Sequence, residues 1–202
     1  QFGIGQAVRR EEDPRLLRGK GNFVNDVNLP NQSHAVIFRS PHAKAKIVSL
    51  DASTAAEAPG VLAVYTGQDV AADGLGTPSM AVQKKRPDGS PMFTRAHPGL
   101  VTDQVRYVGD PIAMVVAETI DQAKDAAELI DIEFEPLNSV TSTAESLNPE
   151  SAAVWEECPD NISFLHEAGD KAAAAAAFDQ AAQIIKRRFV ITRVYAHFME
   201  VR

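Results

Sequence analysis

The hydrophobic pattern divides the chain into a polar opening, a series of strand-length runs, and a tail with a loose linker, one helix and one strand-like run. Residues 1–30 are largely polar, carry Gly19 and Gly21 and keep no sustained period. This predicts an extended arm lying over a larger body, with short strand-like contacts around Asn22 to Val27. Ala35 to Arg39 is mostly apolar, and after Ser40-Pro41-His42 the run Ala45 to Leu50 alternates as a strand does. The two runs predict an antiparallel pair across a turn. Ser53 or Thr54 is expected to cap a short helix ending at Pro59-Gly60, followed by a strand over Val61 to Tyr65.

Residues 71–104 hold four of the twelve glycines and four of the twelve prolines and fit neither helix nor strand period. A loop this long inside a domain is usually functional or an interface, so a subunit contact is expected there. Regularity returns at Val105 to Tyr107 and in the apolar run Ile112 to Ala117. A helix from Ile120 to about Leu129 and a strand over Ile130 to Glu135 come next. Ala123, Ala126, Ala127 and Ile130 lie at helical spacing, leaving Asp121, Lys124, Asp125 and Glu128 to water. Strand, helix and strand in that order predict a crossover unit. Gly109-Asp110-Pro111 reads as a tight connection, with Gly109 at an unusual φ and Pro111 opening the next strand.

Polar residues from Asn138 to Thr143 lead out of this first domain, and a loose segment continues to about Gly169. Asp170 is placed to cap a helix built on Ala172 to Ala177. The β-branched and aromatic run Ala182 to Tyr195 predicts a strand, half of an unfinished sheet. Residues 1–16 are thus expected to form an extended arm, 17–137 an α+β domain with a mixed sheet, and 138–202 a linker and the truncated start of a second α/β domain.

Composition narrows the function classes. With 202 residues, 45% of them hydrophobic and 23% charged, the chain has material for one core and a smaller second one. It has neither a membrane-length apolar run nor a secretory h-region, so a cytoplasmic protein is expected. It begins with Gln rather than Met and is expected to have lost whatever preceded it. The net charge of −7 splits into +3 over residues 1–100 and −10 over 101–202. Lys84-Lys85-Arg86 and Lys186-Arg187-Arg188 are too short and too far apart for a nucleic-acid track.

Candidate chemistry within the chain is sparse. Cys158 is the single cysteine, which excludes internal disulfides and multi-thiolate metal sites. The histidines, His34, His42, His97, His166 and His197, lack ligand spacing. Glu11-Glu12 and Glu156-Glu157 read as solvated charge. The Gly19, Gly21 stretch has Val24 where a nucleotide loop needs its third glycine, and no Gly-x-Ser-x-Gly elbow exists. The pattern alone stops at an α/β domain and the start of another.

Five blocks, in order, carry a resemblance further. They are Val8-Arg9-Arg10 through Gly19-Lys20-Gly21 to Asp26-Val27; Phe38-Arg39-Ser40-Pro41-His42-Ala43; Ala58-Pro59-Gly60-Val61 with Thr66-Gly67-Gln68-Asp69; Val105-Arg106-Tyr107-Val108-Gly109-Asp110-Pro111-Ile112-Ala113; and Glu133-Phe134-Glu135-Pro136-Leu137. Together they resemble the α/β hammerhead domain of molybdenum hydroxylase large subunits, the aldehyde oxidase, xanthine dehydrogenase and carbon monoxide dehydrogenase family. Asn161, Gly169-Asp170 and Met199-Glu200 are similar to the first part of that family's molybdopterin-binding domain, with Phe198 and Val201 where proline is common.

The resemblance implies hydroxylation of aldehydes or N-heterocycles, or oxidation of carbon monoxide, with oxygen from water at molybdenum. The metal would be carried by molybdopterin cytosine dinucleotide, with FAD and [2Fe-2S] clusters on partner domains or subunits. It also implies that the cofactor loops and the catalytic glutamate lie beyond Arg202. No catalytic, cofactor-binding or metal residue is assigned within the chain, which is expected to be inactive alone. Its expected partners are the remainder of the large subunit, an FAD-binding medium subunit, an iron-sulfur small subunit and, through exposed strand edges, a second copy. A stand-alone α/β binding module with the same fold is the alternative.

Overall fold

The computed structural model describes residues 4–5, 7, 9–78, 81–95 and 97–191. It separates into two units, one of residues 33–177 and one of residues 1–32 with 178–202. The larger unit is built on two three-stranded sheets. One has β1 (His34–Arg39), β5 (Pro111–Ala117) and β3 (Val61–Thr66) in the order β1-β5-β3. The other has β4 (Gln104–Val105), β2 (Ala45–Asp51) and β6 (Asp131–Pro136) in the order β4-β2-β6.

Every pairing in them is antiparallel. The α+β hammerhead architecture stands, but the expected mixed sheet does not form. β5 and β6 flank the helix α4 (Ile120–Glu128) as predicted, yet lie in different sheets, so no parallel crossover arises. The reason is visible in β6, where Asp131, Glu133 and Glu135 alternate with Ile132 and Phe134. Such a strand has one wet face and suits an antiparallel sheet rather than a parallel one covered on both sides.

β1 and β2 likewise do not pair with each other. Buried Ser40 interrupts the connection between them. Its N–H donates to Asp110 O at 2.9 Å, its carbonyl accepts from Gly109 N at 2.8 Å, and its Oγ accepts from His42 N at 3.0 Å. Residues 40–44 therefore carry the chain from one sheet to the other instead of closing a hairpin.

α4 follows the predicted pattern. The Thr119 hydroxyl accepts from Gln122 N at 3.2 Å while Gln122 Oε1 accepts from Thr119 N at 3.0 Å, a reciprocal cap of a kind that stabilises a helix by about 1 kcal/mol. Ala123, Ala126 and Ala127 are buried against Ala113, Val115 and Ala117 of β5, with Val36, Phe38 and Val64 around them. A second cluster joins Ala45, Val101, Val105 and Ile112 to Ile47, Ile132 and Phe134. Phe38 and Leu50 touch both clusters, so the two sheets share side chains at their junction.

Helix α2 (Ser53–Ala56) starts on Asp51, whose Oδ1 accepts from Ser53 N at 2.9 Å, rather than on a Ser53 or Thr54 cap. Helix α3 (Gly67–Ala72) covers residues the sequence pattern left unassigned, and its last two residues, Ala71 and Ala72, fall in the run expected to be loop. Thr66 N–H and hydroxyl both donate to Asp69, and a Cβ at Gly67 would run into the Val101 carbonyl.

The tail and arm differ in how far they follow expectation. α5 (Lys171–Asp179) begins where Asp170 Oδ1 accepts from Ala173 N at 2.8 Å, as expected. In the smaller unit the arm forms the one-turn helix α1 (Asp13–Leu16) and a 3-10 turn at Val24–Asp26 in place of strand-like contacts. Its turn is closed when Phe23 N donates to Asp26 Oδ2 at 2.9 Å. Residues 182–191 are exposed and irregular, not a strand. Strand geometry leaves backbone groups open along each edge, and among the described residues no strand pairs with this run. Residues 192–195 of that predicted strand lie outside the described residues.

Candidate functional site

Two loop segments of the larger unit, residues 85–97 and 152–163, enclose a cleft of about 470 Å³. Its lining includes Phe93, His97, Trp155, Cys158 and Asn161. The two segments join where Phe93 N donates to Ser163 O at 2.9 Å and the Ser163 hydroxyl donates to Phe93 O at 2.7 Å, and just past the second segment Leu165 N donates to Lys85 O at 3.1 Å.

Asn161 organises one wall. It sits at φ 56°, a left-handed conformation that Asn tolerates because its short amide bonds locally. Its Oδ1 accepts from Val154 N at 2.8 Å, and its Nδ2 donates to Ser146 O and Ala152 O, both at 3.1 Å. Trp155 beside it lies under the Arg106 guanidinium, 3.9 Å from the ring centre, with Arg95 at 5.8 Å. A stacked arginine of this kind contributes roughly 0.5–2 kcal/mol.

The floor is a charged knot around Cys158. The thiol is buried, and its Sγ lies 3.3 Å from both Arg86 and Asp160. Arg86 also donates to Asp160 and to the Ile162 carbonyl. The Cys158 sulfur as acceptor, and then the Asp160 charge working against burial, hold the Arg86 guanidinium above its ordinary range. The Ile162 N–H, followed by Cys158 and Arg86, holds the Asp160 carboxyl below its own. On the far side of the segment Lys44 donates to Ala153 O at 2.7 Å and to Glu156 at 3.0 Å. The Glu156 carboxyl is lowered first by its own N–H and then by Lys44.

Asp110 connects this region to the sheet junction. It is fully buried in the tight turn where Gly109 takes φ 94° and Pro111 opens β5, as the sequence predicts. One oxygen accepts from Arg106 N at 2.8 Å. The other has His97 Nε2 at 3.3 Å, within ion-pair reach but without hydrogen-bond alignment. Tyr107 Oη lies 3.4 Å from the same His97 nitrogen. Burial, and then the Asp110 charge, push the Tyr107 hydroxyl above its usual value.

This arrangement ties the two loop segments to each other and to the sheet junction. Among the described residues the neighbours of Cys158 are an arginine, a carboxylate and a carbonyl, and no histidine bonds the thiol. Among the described residues no group of three His, Cys, Asp or Glu could hold a metal ion. The histidines are scattered. His34 opens β1, His42 packs edge-on to Phe134 with ring centres 4.8 Å apart, and His166 Nδ1 lies 3.4 Å from Lys84 Nζ. His197, Phe198, Met199, Glu200 and Val201 lie outside the described residues.

The pairs Glu11-Glu12 and Glu156-Glu157 are exposed. Arg86, Trp155 and the buried carboxylate of Asp110 were not singled out by sequence reasoning. For Asp110 a signal existed, a carboxylate placed between a turn glycine and the proline that opens an apolar strand.

Among the described residues no helix is long and apolar enough to cross a membrane. The profile of the aldehyde oxidase and xanthine dehydrogenase a/b hammerhead domain matches residues 18–138. The nicotine 6-hydroxylase large subunit of Paenarthrobacter nicotinovorans is 37% identical over 201 residues, covering 98% of this chain and 23% of that protein. Among solved structures, quinoline 2-oxidoreductase from Pseudomonas putida 86 has 38% identity and a TM-score of 0.60, over 73% of this chain and 18% of its own. The Cu,Mo-CO dehydrogenase in its carbon monoxide reduced state has 31% identity and a TM-score of 0.62, over 90% and 23%. The chain spans about a quarter of the length of the curated relatives it matches. It belongs to the aldehyde oxidase and xanthine dehydrogenase family, through that family's a/b hammerhead domain.

Proposed function

We propose that the chain is the N-terminal part of the molybdenum-binding large subunit of an oxidoreductase. That enzyme hydroxylates aldehydes or N-heterocycles, or oxidises carbon monoxide, with oxygen taken from water. Residues 1–16 are its arm, 17–137 the hammerhead domain, and 138–202 a linker and the start of the molybdopterin-binding domain. The observation that carries this reading is the match of the hammerhead profile over residues 18–138, joined to relatives that are about four times as long. The N-heterocycle branch is favoured, because the nicotine and quinoline enzymes are 37% and 38% identical against 31% for the carbon monoxide enzyme.

The molybdenum cofactor is assigned to the remainder of the large subunit; among the described residues no group of three His, Cys, Asp or Glu could ligate a metal directly, and Cys158 is engaged by Arg86 and Asp160. The protein part of such an enzyme binds and orients a cofactor that performs the redox step. Here the chain's own share of that work is scaffolding and subunit contact, and alone it is inactive.

Molybdopterin cytosine dinucleotide belongs to the complete large subunit, and FAD and [2Fe-2S] clusters to a medium and a small subunit, in the cytoplasm. Pairing of the chain with a second copy stays part of the same proposal through the open edges of the two sheets, since residues 182–191 form no strand. The test is molybdenum content by elemental mass spectrometry, on this chain and on the product of its complete reading frame purified with co-encoded partners. Near-stoichiometric molybdenum in the longer protein alone is expected. Its absence from both would favour a stand-alone binding module.

A further inference from the structure

The β1-β5-β3 sheet is apolar on both faces, and only one face is covered throughout. On the covered face Val36, Ala113, Val115 and Val64 pack under α4. Side chains alternate along a strand, so Ile37, Met114 and Tyr65 project the other way. Their register places them in one cross-strand row, Ile37 opposite Met114 and Met114 opposite Tyr65. The β4-β2-β6 cluster covers this second face at Ile112. Past Ile112 the face opens into a groove of about 470 Å³, where Ile37, Tyr65 and Met114 meet Val70, Leu75 and Leu100. Tyr65 is 41% exposed and Leu75 62%.

An antiparallel sheet with a solvated face carries polar residues at alternate positions, as β6 does. β5 has none from Ile112 to Ala117, the composition of a strand buried on both sides. An open apolar face of this kind marks an interaction surface. Charge describes what fits it: among the described residues the groove is lined by Asp69 and Asp73 and by no basic side chain. Asp69 is already engaged as the cap of α3, whereas Asp73 stands at the end of that helix.

We propose that this face seats a further segment of the same polypeptide, apolar where it meets Ile37, Tyr65 and Met114 and basic where it meets Asp73. The inference rests on the reading of the chain as part of a longer large subunit. The choice of the same polypeptide follows from length, since the chain spans 23% and 25% of its relatives and about three quarters of such a subunit remains to cover it.

Hydroxyl-radical footprinting of the complete large subunit, alone and with its co-encoded partners, tests this without mutation. Each residue is normalised to its own rate in denaturant. Met92, which is buried, marks full protection, and Leu129, which is 46% exposed, marks none. Tyr65 and Met114 are expected to be protected like Met92 in the large subunit alone, at least fivefold beyond Leu129. Asp73→Lys is expected to reduce that protection at least threefold, while Asp121→Lys on the wet face of α4 leaves it unchanged.

Protection that appears only with the partners would overturn the proposal in favour of a different subunit. Exposure in both samples would overturn it in favour of a free face. Molybdenum measured in the same preparations separates the two levels: metal present with Tyr65 exposed defeats this inference alone, and metal absent defeats the enzyme reading beneath it.

Discussion

The sheet junction and the cleft beside it are held by different kinds of contact. Around β5 the chain is fixed by apolar side chains and ladder hydrogen bonds: Ile112, Ala113, Val115 and Ala117 are all fully buried, and each strand pair locks their register. Around the cleft few apolar side chains are buried. Residues 85–97 and 152–163 are tied to each other by Arg86 to Asp160 and by Phe93 to Ser163, while Asn161 bonds three backbone groups at residues 146, 152 and 154 and Trp155 lies under Arg106. The first kind of contact resists local opening because apolar surface must be exposed to break it. The second can be broken one group at a time, so the cleft is expected to open while the sheets stay closed.

Mutations can separate the two regions. Ile112→Ala, at the point where both sheets meet, should lower global stability by about 2–5 kcal/mol, read as a fall in the urea midpoint. Asp110→Ala leaves the Arg106 N–H buried without its acceptor, and a loss of about 1–3 kcal/mol is expected in the same assay. Because Asp110 joins the turn to both regions, its loss should also raise the reactivity of Cys158. Arg86→Ala should act on the cleft alone. Cys158, the one cysteine and a buried one, should react faster with a thiol reagent while the urea midpoint moves less than in either other variant.

Acid provides the mildest perturbation. Asp160 and Glu156 have carboxyls lowered from ordinary values of 3.8 and 4.5. A lowered carboxyl stabilises the fold above its unfolded value and loses that contribution as pH falls through the folded one. Fluorescence of Trp155, the single tryptophan, should therefore stay constant down to about pH 4.5 and change below it. A change centred near neutral pH would assign the cleft's closure to other groups.

Legibility in the sequence followed the same division. The α4 face was readable because Ala123, Ala126 and Ala127 recur at helical spacing, and β5 because its apolar run starts at Pro111 after a turn glycine. Pairing was not readable, since alternation in β1 and β2 states that each is a strand but not which strand it joins. The Ser40 contacts with Gly109 and Asp110, some 70 positions away in sequence, lie where the two runs part into different sheets. The cleft was readable only as an aperiodic loop. Its ties run between single polar side chains and distant backbone groups, as from Asn161 to Ser146 or Ser163 to Phe93, and such contacts leave no period. The family resemblance located the blocks in order but assigned no role to Arg86 or Trp155.

The most direct test of the contrast is amide hydrogen exchange followed by mass spectrometry at increasing sub-denaturing urea. The β5 amides from Ile112 to Ala117 should exchange only through global unfolding, with a steep urea dependence, while the amides of Phe93 and Leu165 exchange through a lower-energy opening with a shallow one. A single opening energy and a common urea dependence for both sets would show that cleft and sheets unfold as one, and would contradict the account.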